Sequence, residues 1–163
     1  MPEDEVQALY DCLKPLMLEA YRPGGHFASG QWGDWQHFST VAYISATHGG
    51  RDVHNAANDI GAEQYGRYED LNRMPVGSTV VKPSFAVTPD GHSTLGPLFI
   101  MEKMTRNWNE ATADWRYAMI NPDGSTFGVT GGPNSDGMMF CHECHTMGQD
   151  TDYMLFLPEE VRR

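Results

Sequence analysis

A cysteine pair followed directly by a histidine lies near the end of the chain and has the composition of a cofactor attachment site. Cys141 and Cys144 are separated by two residues, and His145 follows the second cysteine. Two thiols at this spacing lie on one side of a helical turn, so they can add to the two vinyl groups of one porphyrin. The adjacent imidazole then reaches the iron as its proximal ligand. The spacing predicts one covalent haem c, held by Cys141 and Cys144 and ligated by His145.

Two other kinds of site use cysteines at this spacing. A dithiol redox motif opens a helix after an early strand of a βαβ unit, which is a context that this sequence lacks. A zinc site requires a second pair of ligands, and the one further cysteine is Cys12. The residues around Cys12 have a helical pattern, in which this thiol is either a small buried hydrophobe or half of an intermolecular disulfide.

The charge balance disfavours two classes of partner. The 163 residues carry 22 acidic and 11 basic side chains, which gives a net charge of −11. Nucleic acids and anionic membrane surfaces are bound mainly through Lys and Arg, so we expect neither as a partner. Basic redox proteins and small neutral or cationic ligands are compatible with this charge, which could equally serve only to keep the protein in solution. The length fits one domain, residues 1–163, and no apolar run in the sequence is long enough to span a membrane.

Hydrophobic patterns along the chain predict an α+β fold. Residues from Glu3 to Tyr21 place apolar side chains at helical spacing, and Pro15 would bend or break this helix. A second helix is predicted between Asn55 and Leu71. Apolar and β-branched runs joined by Pro-Asp-Gly turns predict an antiparallel meander, flanked by these helices. The predicted strands are residues 41–44, 78–87, 98–104, 114–120 and 125–130.

Short stretches in a fixed order resemble the cytochrome P-460 family, which includes cytochrome c′-β. None of them is specific alone outside the haem motif, but the ordered set covers roughly residues 48–153. The resemblance assigns residues 46–157 to a haem core with its motif at 141–145, and residues 1–45 to an N-terminal helical extension. The stretches are THGG at 47–50, NDIG at 58–61, MPVGSTVVK at 74–82, MEKM at 101–104, DWRY at 114–117, PDG at 122–124, the haem motif, and DTDY at 150–153.

The resemblance implies a homodimer with one five-coordinate haem c in each chain. P-460 enzymes oxidise hydroxylamine with a haem that is cross-linked to a lysine, whereas c′-β members lack this bond and bind nitric oxide in an apolar pocket. We therefore expect a small nitrogenous ligand or substrate at an open iron, and a redox partner cytochrome. Bacteria attach haem c outside the cytoplasmic membrane, so we expect a periplasmic protein whose signal peptide has been removed from this sequence.

Two residues outside the haem motif are candidates for the site. Lys82 matches the family's cross-linking lysine, and a strand would bury its stem with the amine within reach of a haem edge. The amine could instead extend to solvent or pair with a haem propionate, and Pro83 departs from the acidic residue expected there. His54 is a candidate distal base or sixth ligand, or else an ordinary core or surface histidine.

The sequence offers several alternative residues for the side of the haem opposite His145. Hydroxylamine oxidation needs a proton acceptor there. Asp114, Asp123 and Asp136 are candidates, although each is more typical of a turn or a surface. Phe127 or Phe140 could instead line an apolar gas-binding pocket. A methionine as sixth ligand would make the protein an electron carrier, although methionines also pack against porphyrins. The methionines near the motif are Met138, Met139, Met147 and Met154.

Overall fold

The computed structural model describes residues 2–163 and has an α+β fold with two antiparallel sheets in that range, which confirms the predicted class. The α-helices of this range are α1 (Glu3–Tyr21), α2 (Asp59–Tyr65) and α3 (Met139–His145). The strands are β1 (Gln36–His37), β2 (Tyr43–Ser45), β3 (Arg51–Val53), β4 (Ala56–Ala57), β5 (Thr79–Lys82), β6 (Ser84–Val87), β7 (Ser93–Leu95), β8 (Leu98–Lys103), β9 (Trp115–Ile120) and β10 (Thr126–Val129).

The larger sheet contains the predicted meander. Its strand order is β1-β4-β5-β8-β9-β10, and β8, β9 and β10 follow one another in both sequence and space. The turn between the last two strands uses Asp123, whose carboxylate accepts from the Ser125 amide. An Asp at this position of a turn satisfies its own backbone, which is why the Pro-Asp-Gly triplet predicted the reversal.

The second sheet was not expected from the sequence. Its order is β2-β3-β6-β7, and β6 belongs to it although the preceding strand, β5, lies in the larger sheet. The predicted single strand 78–87 is therefore two strands, which meet at a corner at Pro83. Proline has no amide hydrogen to donate to a strand ladder, so pairing changes at this residue. Lys82, at the end of β5, pairs in register with Phe99 of β8.

The sequence pattern predicts the bounds of α1 better than those of α2. α1 runs through Pro15 as one element, and its buried face packs into the main core. α2 is shorter than the predicted segment, because Ala56 and Ala57 pair as a strand with β1 and β5. Asn58 then caps the helix by accepting from the Gly61 amide, as an N-cap side chain does. The buried face of α1 is formed by Val6, Tyr10, Leu13, Met17 and Tyr21.

Two clusters of buried side chains form the core. The first lies between α1 and the sheets and includes Met17, Phe85 and Leu98. The second lies on the larger sheet beside α3 and includes Trp115 and Tyr117, with Cys141 packed against it. Across residues 2–163, no helix combines the length and apolar character that a membrane span needs.

Candidate functional site

Helix α3 presents the cysteine pair and the adjacent histidine to one cavity. Cys141, Cys144 and His145 stand at positions i, i+3 and i+4, which share one face of a helix. All three line a cavity of about 270 Å³ between α3, the larger sheet and β2. Both thiols are free and half-buried. The described residues bring no second pair of zinc ligands to them.

The imidazole of His145 is oriented by a backbone carbonyl. Its Nδ1–H donates to the Tyr153 carbonyl over 2.7 Å. A ring whose Nδ1 carries the hydrogen keeps its lone pair on Nε2, which is the form that ligates a metal. Burial, with the nearby Lys82 charge, lowers the pKa of His145 to about 4. The imidazole is therefore neutral at neutral pH, as metal ligation requires.

A second histidine lines the same cavity. His48 ends a short 3-10 helix, Ala46–His48, that follows β2. Its Nδ1 lies 2.8 Å from the Ser45 hydroxyl, and its ring packs edge-on against Phe99 at 4.7 Å between centroids. Burial, reinforced by the charge of Lys82, lowers the pKa of His48 to about 3. His48 is therefore neutral at neutral pH, and its imidazole can offer a hydrogen-bond donor or acceptor to a small molecule in the cavity.

Lys82 also lines the cavity. The end of β5 fixes its backbone. Burial, opposed by the effect of Cys144, lowers the pKa of its amine to about 8. A substantial fraction of this amine is therefore neutral just above neutral pH. A neutral amine is a nucleophile, whereas an ammonium is not.

The rest of the lining is mainly apolar. A wide apolar cavity with two thiols and a neutral imidazole on one helix fits a haem, because a porphyrin is a flat apolar ring whose iron takes an imidazole nitrogen. Phe140, predicted as a possible pocket residue, belongs to this lining, whereas Phe127 does not. The apolar residues around the cavity include Ile44, Val80, Phe99, Ile100, Phe140 and Phe156.

The chain matches the Cytochrome P460 family over residues 29–156. The chain belongs to this family. It is therefore a haem cytochrome of the c type, which agrees with the resemblance carried by the ordered stretches. No curated protein matches the chain.

His54 lies away from the cavity of this cytochrome, so the structure does not support the predicted distal role. It is buried beneath α1, where Nδ1 lies 2.5 Å from the Ser39 hydroxyl and Nε2 lies 3.0 Å from Gln7 Oε1. Its ring packs on Tyr10 at 4.1 Å. The histidine that lines the cavity together with His145 is instead His48, within the THGG stretch at 47–50 that contributed to the family resemblance.

The three carboxylates that the sequence suggested as proton acceptors lie in turns of the fold and not at the cavity. Asp114 accepts from the Asn107 and Asn109 amides, and Asp123 forms the turn before β10. Asp136 begins a 3-10 turn ahead of α3. None of the three lines the cavity.

The methionines near the haem motif also lie outside the cavity. Met138 and Met154 are buried in the second core cluster, and Met147 is 71% exposed. Neither these residues nor Met139 lines the cavity, whereas Met101 of β8 does. Cys12 is exposed on α1, so its interpretation as a buried hydrophobe is wrong.

His54 is expected to make the folded state sensitive to acid. Burial, with the charges of His37, Arg163 and Lys14, lowers its pKa from 6.5 to about 3. Between these values the unfolded chain binds the proton and the folded chain does not. The stability that depends on neutral His54 is therefore complete above pH 6.5 and falls on acidification, by up to about 1.4 kcal/mol per pH unit. Urea unfolding at pH 7, 6 and 5 measures this slope.

The matched variants for this test are His54→Gln and His92→Gln. Glutamine at position 54 does not titrate, so the loss of stability between pH 7 and 5 is expected to be smaller than in the wild type. His92 is exposed, with 80% of its side chain accessible, and its replacement is expected to leave the slope unchanged. Equal slopes in the wild type and in His54→Gln would contradict the prediction.

Proposed function

We propose that this chain is a periplasmic mono-haem cytochrome c that reacts with hydroxylamine or nitric oxide at an open haem iron. The observation that carries the proposal is that Cys141, Cys144 and His145 line one cavity together with Lys82 and His48. Cys141 and Cys144 would hold the haem through thioether bonds, with His145 Nε2 on the iron. When bound, the haem supplies an iron that coordinates a nitrogen ligand and exchanges electrons with it.

His48 is the residue that we assign to proton transfer. The Ser45 hydroxyl can either donate to or accept from its Nδ1. With Nδ1–H donating to Ser45, the lone pair of Nε2 can take a proton from a nitrogen substrate, and the Ser45 bond stabilises the imidazolium that forms. With the opposite tautomer, Nε2–H can donate a hydrogen bond to a bound ligand. The mainly apolar walls offer few polar groups that would hold competing water beside this exchange.

Lys82 is proposed as a cross-linking residue. Its neutral amine would form a bond from nitrogen to a porphyrin carbon as one N–H and one C–H bond break. The two protons and two electrons that are released would pass to added hydrogen peroxide, which becomes two water molecules. The lowered pKa of Lys82 and its place at the rigid end of β5 support this role, since a nucleophile must be both deprotonated and held in place.

Two alternatives to an enzyme have support from the cavity. Its mainly apolar lining favours a protein that binds nitric oxide without turnover. Met101 in the lining favours a His/Met-ligated electron carrier, because a thioether ligand raises the reduction potential. The strongly acidic chain suits a basic redox partner, and we propose that it acts as a homodimer.

The proposed function is tested with the purified protein by intact mass, visible spectra and turnover. We expect polypeptide plus one haem, ligand-induced spectral changes with nitric oxide, and reduction of an artificial electron acceptor in the presence of hydroxylamine. Binding of nitric oxide without turnover would select the binding protein. A spectrum with methionine ligation that is lost in Met101→Leu would select the electron carrier. A mass equal to the bare polypeptide would exclude all three.

The cross-link predicts that one haem joins two separate peptides. After peroxide treatment and digestion, we expect a species containing Lys82, the haem and the cysteine pair, with a mass two hydrogens below the sum of its parts. In Lys82→Met the haem is expected to remain on the cysteine peptide alone. Peptide mass spectrometry measures both products, and a wild-type digest in which the Lys82 peptide carries no haem would disprove the bond.

A further inference from the structure

We infer that Lys103 and Asp152 position the proximal histidine, although neither side chain lines the cavity. The inference rests on the proposed role of His145 as the iron ligand. It concerns the carbonyl of Tyr153, which accepts the Nδ1–H of His145. Nothing in the haem motif itself determines where this carbonyl lies.

Lys103 and Asp152 form a buried ion pair. The Lys103 amine lies 2.7 Å from Asp152 Oδ1, and the two side chains are 2% and 11% exposed. The same amine donates to the Ala113 carbonyl at 3.1 Å and lies 4.8 Å from the centre of the Trp115 ring. A buried ammonium without such partners would be strongly destabilising. The ion pair with Lys103 therefore fixes the position of the Asp152 carboxylate.

Asp152 is also bonded to two other parts of the fold. Its Oδ2 accepts from the Met74 amide at 2.9 Å, and its backbone carbonyl accepts from the Trp115 indole at 2.8 Å. The residue is thus attached to β8, to β9 and to the loop before β5. Since these attachments come from different segments, Asp152 cannot rotate without breaking several of them.

The backbone at this point is in a conformation that needs such support. Asp152 and Tyr153 have φ values of 52° and 66°. The left-handed region costs non-glycine residues free energy, and it persists where surrounding contacts enforce it. Here the left-handed conformations of Asp152 and Tyr153 direct the Tyr153 carbonyl towards His145, whose Nδ1 lies 2.7 Å from the carbonyl oxygen. The ion pair maintains this turn, so it controls the hydrogen bond to the proximal ligand.

The hydrogen bond has an electronic consequence for a bound haem. A carbonyl that accepts from Nδ1–H gives the imidazole more anionic character, and a stronger donor stabilises the oxidised iron. Loss of the ion pair lets the carbonyl withdraw, so the reduction potential is expected to rise. The loss of the Lys103 charge alone would have the opposite effect. Removing a nearby positive charge favours the oxidised iron and so lowers the reduction potential.

The test compares reduction potentials of purified holoprotein variants. We expect Lys103→Met to raise the potential and Lys103→Arg, which keeps the cation, to remain close to the wild type. The double variant Lys103→Met with Asp152→Leu is also expected to be raised; apolar replacement of a buried pair commonly preserves folding. Arg116→Met is the matched control, because it removes a neighbouring cation paired with Glu102 and leaves the turn intact. It is expected to lower the potential or leave it unchanged.

A second readout separates positioning from general destabilisation. The iron–histidine stretching frequency of the ferrous protein is expected to fall in Lys103→Met and in the double variant, while Arg116→Met keeps the wild-type value. An unchanged or lowered potential in Lys103→Met and in the double variant, with haem attached in both, would overturn the inference. Absence of haem from the wild-type mass would instead overturn the proposed function, so the two failures are distinguishable.

Discussion

Replacing Cys141 and Cys144 together by alanine is expected, in protein that has not been treated with peroxide, to yield a chain from which all haem is released on denaturation. Each thioether bond needs a thiol, and α3 brings only these two thiols to the cavity among residues 2–163. The intact mass is expected to equal that of the bare polypeptide, and the denatured chain is expected to give no haem signal on a gel. The wild type is expected to retain one haem under the same conditions.

Cys12→Ala provides the control for this experiment. Its thiol is exposed on α1 and away from the cavity, so haem content is expected to equal that of the wild type. This variant also tests whether Cys12 joins two chains, because its removal would then abolish a dimer seen under non-reducing conditions. Covalent haem in the double alanine variant would show that another residue attaches it.

His48→Ala is expected to reduce hydroxylamine turnover by about 10²–10⁴-fold, the usual contribution of a general base. The physical reason is that two neutral imidazoles line the cavity, and His48 is the one not assigned to the iron. Haem content and the spectrum of the resting protein are expected to remain unchanged, since the thioether positions and His145 are intact. Steady-state rates with an artificial electron acceptor measure the effect.

The matched control is His54→Gln, which alters the buried histidine beneath α1 and leaves the cavity lining intact. Its turnover is expected to be close to that of the wild type at neutral pH. A further comparison is nitric oxide affinity, which His48→Ala is expected to change far less than turnover because proton transfer is not needed for binding. A His48→Ala protein that turns over hydroxylamine at the wild-type rate would remove His48 from the mechanism.

The parts of the fold that the sequence predicts well are those determined by local signals. The helical spacing in α1 and the Pro-Asp-Gly turn before β10 depend on residues close together in the chain. The haem motif is equally local, because its two thiols and imidazole lie within one helical turn of each other. This explains why the motif and the α+β class could be predicted from the sequence alone.

The parts that the sequence predicts poorly depend on contacts between distant residues. The run at 78–87 has the composition of one strand, but sheet membership is decided by partners such as Phe99 for Lys82. The residues next to His48 and His54 do not indicate which histidine lies at the cavity, because their separation depends on which element covers each. α1 covers His54, whereas the short helix after β2 presents His48 to the cavity.

The corner at Pro83 has a consequence for ligand entry. It joins the strand that carries Lys82 to the sheet whose edge strand, β2, also contributes to the wall of the cavity. Proline fixes its own φ, which limits the rotation of the two sheets relative to each other at this corner. A small molecule therefore meets walls whose separation is already set, and little of its binding free energy is lost to ordering the protein. Such a cavity is expected to discriminate among ligands by size more than by induced closure.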